Sequence, residues 1–170
     1  MSPRVVVIGM PASGKSTVGD KVAEALGVPF YDADDIIEAR TGKLIREIFS
    51  DDGEEAFRAI EEQVVGELLA AEDCVVSLGG GSVLSPTIRA ALTGLPVIWL
   101  EVGVATATRR AGLNQLRPLL LGDVRARMET LLAERRHLYE EVATLRLSTD
   151  RVTAQELADQ IVTMLREGGR

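Results

Sequence analysis

The sequence predicts an α/β fold: a five-stranded parallel sheet with helices on both faces. Three features carry this. Val5-Val6-Val7-Ile8 is an unbroken β-branched run, the pattern of a strand buried on both sides. A glycine-bearing turn, Gly9–Ser16, leads from it straight into a helical pattern. Short apolar runs then alternate with longer amphipathic stretches to the end of the chain, as βαβ units require.

The elements follow in order. Thr17–Leu26 reads as a helix stopped by Gly27 and Pro29. Val28–Tyr31 is a second strand, and Asp34–Thr41 and Leu44–Phe49 are short helices. Glu54–Ala71 carries Phe57, Ile60, Val64 and Leu68 on one stripe, so it is a longer helix. Cys74–Leu78 is the third strand, Pro86–Leu92 a helix and Val97–Leu100 the fourth strand. Ala105–Ala111 is helical. Gly112–Gly122 has no regular pattern and exceeds an ordinary connection, which marks it as a candidate lid. Asp123–Val142 is the longest helix, Leu145–Ser148 the fifth strand and Ala154–Arg166 the last helix.

Composition bounds the function. The 170 residues suit one domain, 1–170, able to bury its core without disulfides or structural metal. Aromatics are 4%, so the core is aliphatic. With 19 basic and 26 acidic residues the net charge is −7, a poor balance for binding nucleic acid. One cysteine excludes an intrachain disulfide framework, and one histidine excludes a Cys/His zinc cluster. No apolar run is long enough to span a bilayer, and the first residues lack the long apolar stretch of a signal peptide. A cytoplasmic protein with no membrane partner is expected.

Gly9-Met-Pro-Ala-Ser-Gly14-Lys15-Ser16 fits G-x-x-x-x-G-K-[ST] between a buried strand and a helix, the setting of a phosphate-binding loop. Its glycines let backbone N–H groups converge on phosphate oxygens, and the helix N-terminus adds its dipole. Lys15 can reach the β and γ phosphates, and Ser16 can ligate Mg²⁺. Gly19, inside the following helix, implies close packing there. The second strand ends in Asp32-Ala-Asp34, at the carboxyl edge where α/β sheets bind ligands. The third strand ends without an aspartate, so Asp32 is the better Mg²⁺ anchor, acting through water. Either aspartate can also cap the next helix.

Arg58 borders its helix's apolar stripe and can pair with Glu61 or Glu62, as an ordinary surface ion pair would. Arg135 falls near the middle of the stripe formed by Val124, Met128, Leu131, Leu138 and Val142, whereas Arg136 lies about 100° away. An arginine on a core face must meet an anion, either an internal carboxylate or a ligand. Gly79-Gly80-Gly81 after the third strand is either a flexible turn or a place where a ligand meets the backbone. Residues 109–136 hold seven arginines against three acids, a local charge of +4 in an acidic chain. Such a reversal of field suits anionic substrates. Cys74 and Trp99 read as core, and His137 as solvated.

The loop G-x-P-x-S-G-K-S-T-x-G, Asp32-x-Asp34, Phe57-Arg58-x-x-Glu61, Gly79-Gly80-Gly81, Arg117-Pro118-Leu119-Leu120 and Arg135-x-x-Leu138-Tyr139 stand in the order found in shikimate kinases, which this chain resembles over essentially its whole length. The resemblance implies a P-loop kinase fold of the nucleoside-monophosphate-kinase-like type, with a lid at about 112–122 and a substrate-binding region at about 33–61. It implies ATP as co-substrate, one Mg²⁺ per subunit, and phosphorylation of shikimate to shikimate 3-phosphate in aromatic amino-acid biosynthesis, by a cytoplasmic monomer. Ala12, Ser13, Gly14, Lys15, Ser16, Thr17, Arg110 and Arg117 would bind ATP, with Arg110 flanking the adenine. Ser16 and Asp32 would hold the metal. Asp34, Arg58, Glu61, Gly79, Gly80, Gly81 and Arg135 would bind shikimate, and Lys15, Asp34 and Arg117 would be catalytic. Where some family members place a basic residue, this chain has Val152. Two alternatives stay open: a kinase of another small hydroxy acid such as gluconate, and a non-catalytic nucleotide-binding module.

Overall fold

The computed structural model describes residues 2–112 and 121–168. Eight helices and five strands are described: β1 (Val5–Ile8), α1 (Lys15–Leu26), β2 (Phe30–Asp32), α2 (Ala33–Thr41), α3 (Ile45–Asp51), α4 (Glu54–Leu69), β3 (Val75–Ser77), α5 (Pro86–Leu92), β4 (Val97–Glu101), α6 (Val104–Gly112), α7 (Leu121–Val142), β5 (Leu145–Ser148) and α8 (Ala154–Gly168). The strands form one sheet in the order β2-β3-β1-β4-β5, and every pairing is parallel. The predicted sheet is therefore present, with β1 at its centre.

The β-branched run earns that place by burying alternate residues on opposite faces. Val6, Ile8, Val76 and Trp99 pack with side chains of α2 to α5 and α7. Val5, Val7, Val75, Ile98 and Leu100 pack with Val18, Val22, Leu157 and Ile161 of α1 and α8. A parallel sheet covered in this way brings all its carboxyl ends to one edge, and the loops there can share a ligand. Among the described residues, no helix is long and apolar enough to cross a membrane.

Differences from expectation lie at element ends. α1 begins at Lys15 rather than Thr17, because Gly14 takes a left-handed φ of 89° and ends the loop two residues early. β2 runs to Asp32 instead of stopping at Tyr31, so Asp32 closes the strand and opens α2. A short 3-10 turn, Ser82–Leu84, follows the triple glycine and has no periodic signal of its own. Gly19 packs as expected: a methyl group there would stand 2.6 Å from Phe30 Cε2.

Candidate functional site

The phosphate-binding loop leaves β1 at Gly9, whose φ is 152° and where a side chain would meet the Leu100 carbonyl oxygen at 2.6 Å. Ala12 also has a positive φ, 65°. These turns deliver the chain to the start of α1, which has neither a side-chain cap nor an acidic residue in its first turn. The N–H groups of that turn are left to an anion, as in helix-terminal phosphate sites. Lys15 Nζ donates to the Met10 carbonyl at 3.0 Å, across its own loop. Burial pulls the Lys15 pKa down to about 8, against the pull of Asp34 and Asp32. Arg110 donates to the Ala12 carbonyl at 3.1 Å, so α6 braces the loop. Ser13 Oγ is buried without a partner among the described residues, and Thr17 is exposed on the first turn of α1.

Ser16 Oγ donates to Asp32 Oδ2 at 2.6 Å. The other oxygen, Oδ1, accepts the Asp35 N–H at 3.2 Å and caps α2. Asp32 is therefore the helix cap that the sequence allowed, with its other oxygen bonded to Ser16. Ser77, at the end of β3, stands in register with Asp32, and its buried hydroxyl has no partner among the described residues. No cluster of three or more His, Cys, Asp or Glu able to hold a metal occurs among the described residues. A hydroxyl, one carboxylate and an unpaired hydroxyl suit Mg²⁺, which keeps waters and takes phosphate oxygens rather than an all-protein cage.

Beside the loop is a cavity of ≈ 250 Å³ lined by Pro11, Asp34, Ile45, Phe49, Phe57, Arg58, Glu61, Gly79–Gly81, Arg127, Leu131 and Arg135. Each predicted acceptor residue lines it. Arg58 Nη1 donates to Glu61 Oε1 at 2.8 Å, and its guanidinium lies 5.2 Å from the Phe57 ring centroid and 5.9 Å from that of Phe49. Glu61 is buried and accepts from Ser82 Oγ at 2.9 Å on its second oxygen. Arg58 and Arg135 each keep a buried Nε without a partner among the described residues. Orphan buried donors are rare in folded proteins, and two cationic ones on one cavity call for an anion.

Asp34 lies against Gly79, where a methyl group would be 2.8 Å from Oδ1. Burial, with the charges of Asp32 and Glu61, pushes its carboxyl up to about 6, while Lys15 opposes the rise. Gly80 is closed against Pro11 of the phosphate loop, with a methyl group there 2.9 Å from Pro11 Cδ, and a side chain at Gly81 would collide with the Arg58 guanidinium. Each of the three glycines thus lies at a separate close approach. The result is a carboxylate of raised pKa, two arginines and a phosphate-binding loop around one small space. That combination can hold an anionic acceptor and receive a proton from its hydroxyl.

Arg117 and most of the candidate lid lie outside the described residues. The sequence reading missed Arg127, eight residues before Arg135 on α7 and so on a neighbouring part of the same helix surface. It also missed Ser77, whose signal was a polar residue closing an apolar strand just before glycines. Trp99 and Cys74 are buried core and His137 is exposed, as expected. A cavity of ≈ 410 Å³ between α5 and the end of α7 is larger, but its Arg89 is already engaged by Glu141 and by the Val83 and Leu84 carbonyls.

The shikimate kinase family model matches residues 11–166. A shikimate kinase of Thermobifida fusca is 50% identical over 167 residues, covering 98% of this chain and 97% of that protein. One from Saccharopolyspora erythraea is 53% identical over 163 residues, covering 95% and 93%. Among solved structures, a shikimate kinase from Acinetobacter baumannii in complex with shikimate superposes with a TM-score of 0.90 at 32% identity, covering 99% of this chain and 94% of that one. A gluconokinase from Sinorhizobium meliloti, at 23% identity and a TM-score of 0.61, shares the fold. A family match over nearly the whole length and relatives at half identity settle the assignment: this chain belongs to the shikimate kinase family, phosphotransferases that act on an alcohol group of shikimate.

Proposed function

We propose that this chain transfers the γ-phosphoryl group of ATP to the 3-hydroxyl of shikimate, giving ADP and shikimate 3-phosphate, in the cavity between the phosphate loop and α7. The observation that carries the reading is the convergence of Asp34, Arg58 and Arg135 on a ≈ 250 Å³ space closed on one side by Pro11 of that loop. The loop N–H groups, Lys15 and the start of α1 bind the phosphates, with Ala12, Ser13, Gly14, Ser16 and Thr17 in the same turn. Arg110 flanks the adenine. Arg58 and Arg135 bind the acceptor carboxylate with their free donors, and Glu61 holds the Arg58 guanidinium in place. Gly79, Gly80 and Gly81 let the ring approach the backbone.

Asp34 accepts a hydrogen bond from the acceptor hydroxyl and takes its proton as the O–P bond forms and the bond to ADP breaks. Since the transition state is loose, positioning and charge stabilisation supply most of the acceleration, and Asp34 need not be a strong base. Lys15, and Arg117 on the sequence resemblance, neutralise the charge on the transferring group. Ser16 and Asp32 would hold a single Mg²⁺, which would supply charge neutralisation to the phosphates. A lid at about 112–122, a substrate-binding region at about 33–61 and a monomer acting in the cytoplasm belong to the same reading, supported by the family resemblance.

Coupled ADP release tests it. Turnover is expected with ATP, Mg²⁺ and shikimate, with little when shikimate is withheld or replaced by gluconate. Equal turnover with gluconate would make the acceptor a broader class of hydroxy acid. ATP binding without turnover on any acid would leave a binding module.

A further inference from the structure

Tyr139 lies on α7 one turn beyond Arg135. It is fully buried, its Oη donates to the Gly80 carbonyl at 2.5 Å, and its ring stacks on Trp99 with centroids 5.6 Å apart. Burial pushes its phenol up to about 12, with the Arg135 charge and a hydrogen bond from Arg135 opposing, so the O–H is retained as a donor at every working pH. The acceptor it has found is unusual within the turn. The Gly79 and Gly81 carbonyls accept backbone N–H groups from Ser82 and Leu84, at 3.1 and 3.0 Å. Between them, the Gly80 carbonyl is held by a side chain from a different helix.

A trans peptide is planar, and its C=O and N–H point in opposite directions. Fixing the Gly80 carbonyl on Tyr139 therefore turns the Gly81 N–H away from α7. That N–H has no acceptor among the described residues. A glycine run has wide backbone freedom, so its shape must be imposed from outside. The same turn bears on Asp34 at Gly79, on Pro11 at Gly80 and on Arg58 at Gly81. Rotating this one peptide would shift the turn against the Arg58 guanidinium.

We propose that Tyr139 is a positioning residue: its phenol O–H sets the Gly80–Gly81 peptide plane, and so fixes the glycine turn against Arg135 and the phosphate loop in the arrangement that receives the acceptor. Because Arg135 and Tyr139 share one helix, the carboxylate-binding arginine and the turn keep a single register. The proposal rests on reading the cavity as the acceptor site.

Tyr139→Phe tests it, since this change keeps the ring, its volume and the stacking on Trp99 and removes one oxygen. The wild type is assayed first with ATP and shikimate; failure to turn over there overturns the functional reading, not the role of Tyr139. With an active wild type, Tyr139→Phe is expected to raise the KM for shikimate about tenfold, the scale of one buried carbonyl left without its hydrogen bond. The KM for ATP stays within about twofold. The Gly81 amide resonance shifts, and it loses the displacement that shikimate causes in the wild type. Ile161→Val, in the core on the opposite sheet face, is the stability control and leaves both KM values unchanged. A Tyr139→Phe enzyme with a lower Tm but a wild-type shikimate KM makes Tyr139 ordinary core and overturns the proposal. So does a wild-type Gly81 resonance that shikimate leaves unmoved, a measurement that needs no variant to fold.

Discussion

Arg58 and Glu61 form an i,i+3 pair of unequal members, Nη1 to Oε1 at 2.8 Å, with the carboxylate 1% exposed and the guanidinium 20%. A surface pair would be worth little, but a buried carboxylate that lost its cation would be left unpaired at high cost. Glu61 is therefore a fixed anchor, and Arg58 is the half that remains available to a ligand. Glu54, the second partner at 3.4 Å, is 63% exposed and adds little.

Glu61→Gln keeps the shape and removes the charge. It should lower kcat/KM for shikimate by about tenfold, as for a hydrogen bond to a charged group. It should also move the acid limb of the pH profile downward, because Glu61 is one of the charges that raise the Asp34 carboxyl. A limb that stays in place in this variant would separate Asp34 from that limb.

Asp34 should trade stability against activity. Its carboxyl rises from 3.8 to about 6 on folding, so the native state holds the proton more tightly than the unfolded chain. The stabilisation from that proton is full below pH 3.8 and is lost as pH rises through about 6. Asp34→Asn should thus be more stable than the wild type at pH 8, by about 1–2 kcal/mol after discounting for partial exposure. The gain should vanish below about pH 4, while turnover falls about 10²- to 10⁴-fold. Thermal unfolding across pH checks this; a gain independent of pH would mean that the charge is not its cause.

Lys15 should take up a proton when ATP binds. Burial holds its pKa near 8 in the free protein, so at that pH about half the molecules lack the charge. Polyphosphate beside Nζ would restore it. Titration calorimetry at pH 8 in buffers of different ionisation enthalpy should show net uptake, and Lys15→Met should abolish it. The absence of any buffer dependence in the wild type would place Nζ away from the phosphates.

Arg135 and Arg136 are neighbours with different surroundings. Arg135 lines the cavity with an unpaired Nε. Arg136 is 44% exposed, pairs with Glu140 and Glu101, and lies 5.9 Å from the Trp99 ring centroid. Arg135→Ala should cost about 3 kcal/mol of transition-state binding, on the order of a hundredfold in kcat/KM. Arg136→Ala should leave kcat/KM near the wild-type value and cost about 0.5–1 kcal/mol of stability. Equal kinetic losses at the two would show that both reach the acceptor.

Much of this was legible in the residues because local physics decides it. Val5–Ile8 has few alternatives to a doubly buried strand, and the loop after it needs only its own glycines, Lys15 and the start of α1 to make an anion site. Helical periodicity distinguished Arg135 from Arg136 before any contact was known. Boundaries were less legible where one residue serves two elements. Asp32 belongs to β2 by its pairing with Ser77 and to α2 by its cap, and only the neighbouring strand decides that division.

Sequence by itself determined the order of strands and helices, the phosphate loop and the arginine that faces inward, since each is set by residues within a few turns of one another. Tertiary structure decided what those parts become together. Arg58 could have been a surface pair until α4 carried Glu61 under Ser82, and the glycine triplet could have been a loose turn until Asp34, Pro11 and Arg58 closed on it. The Asp34 carboxyl rises because the fold buries it and sets the charges of Asp32, its neighbour in the chain, and the distant Glu61 beside it, and Tyr139 meets Gly80 across 59 residues. Burial and long-range charge depend on which surfaces the sheet order brings into contact, and no spacing along a single helix or strand contains that.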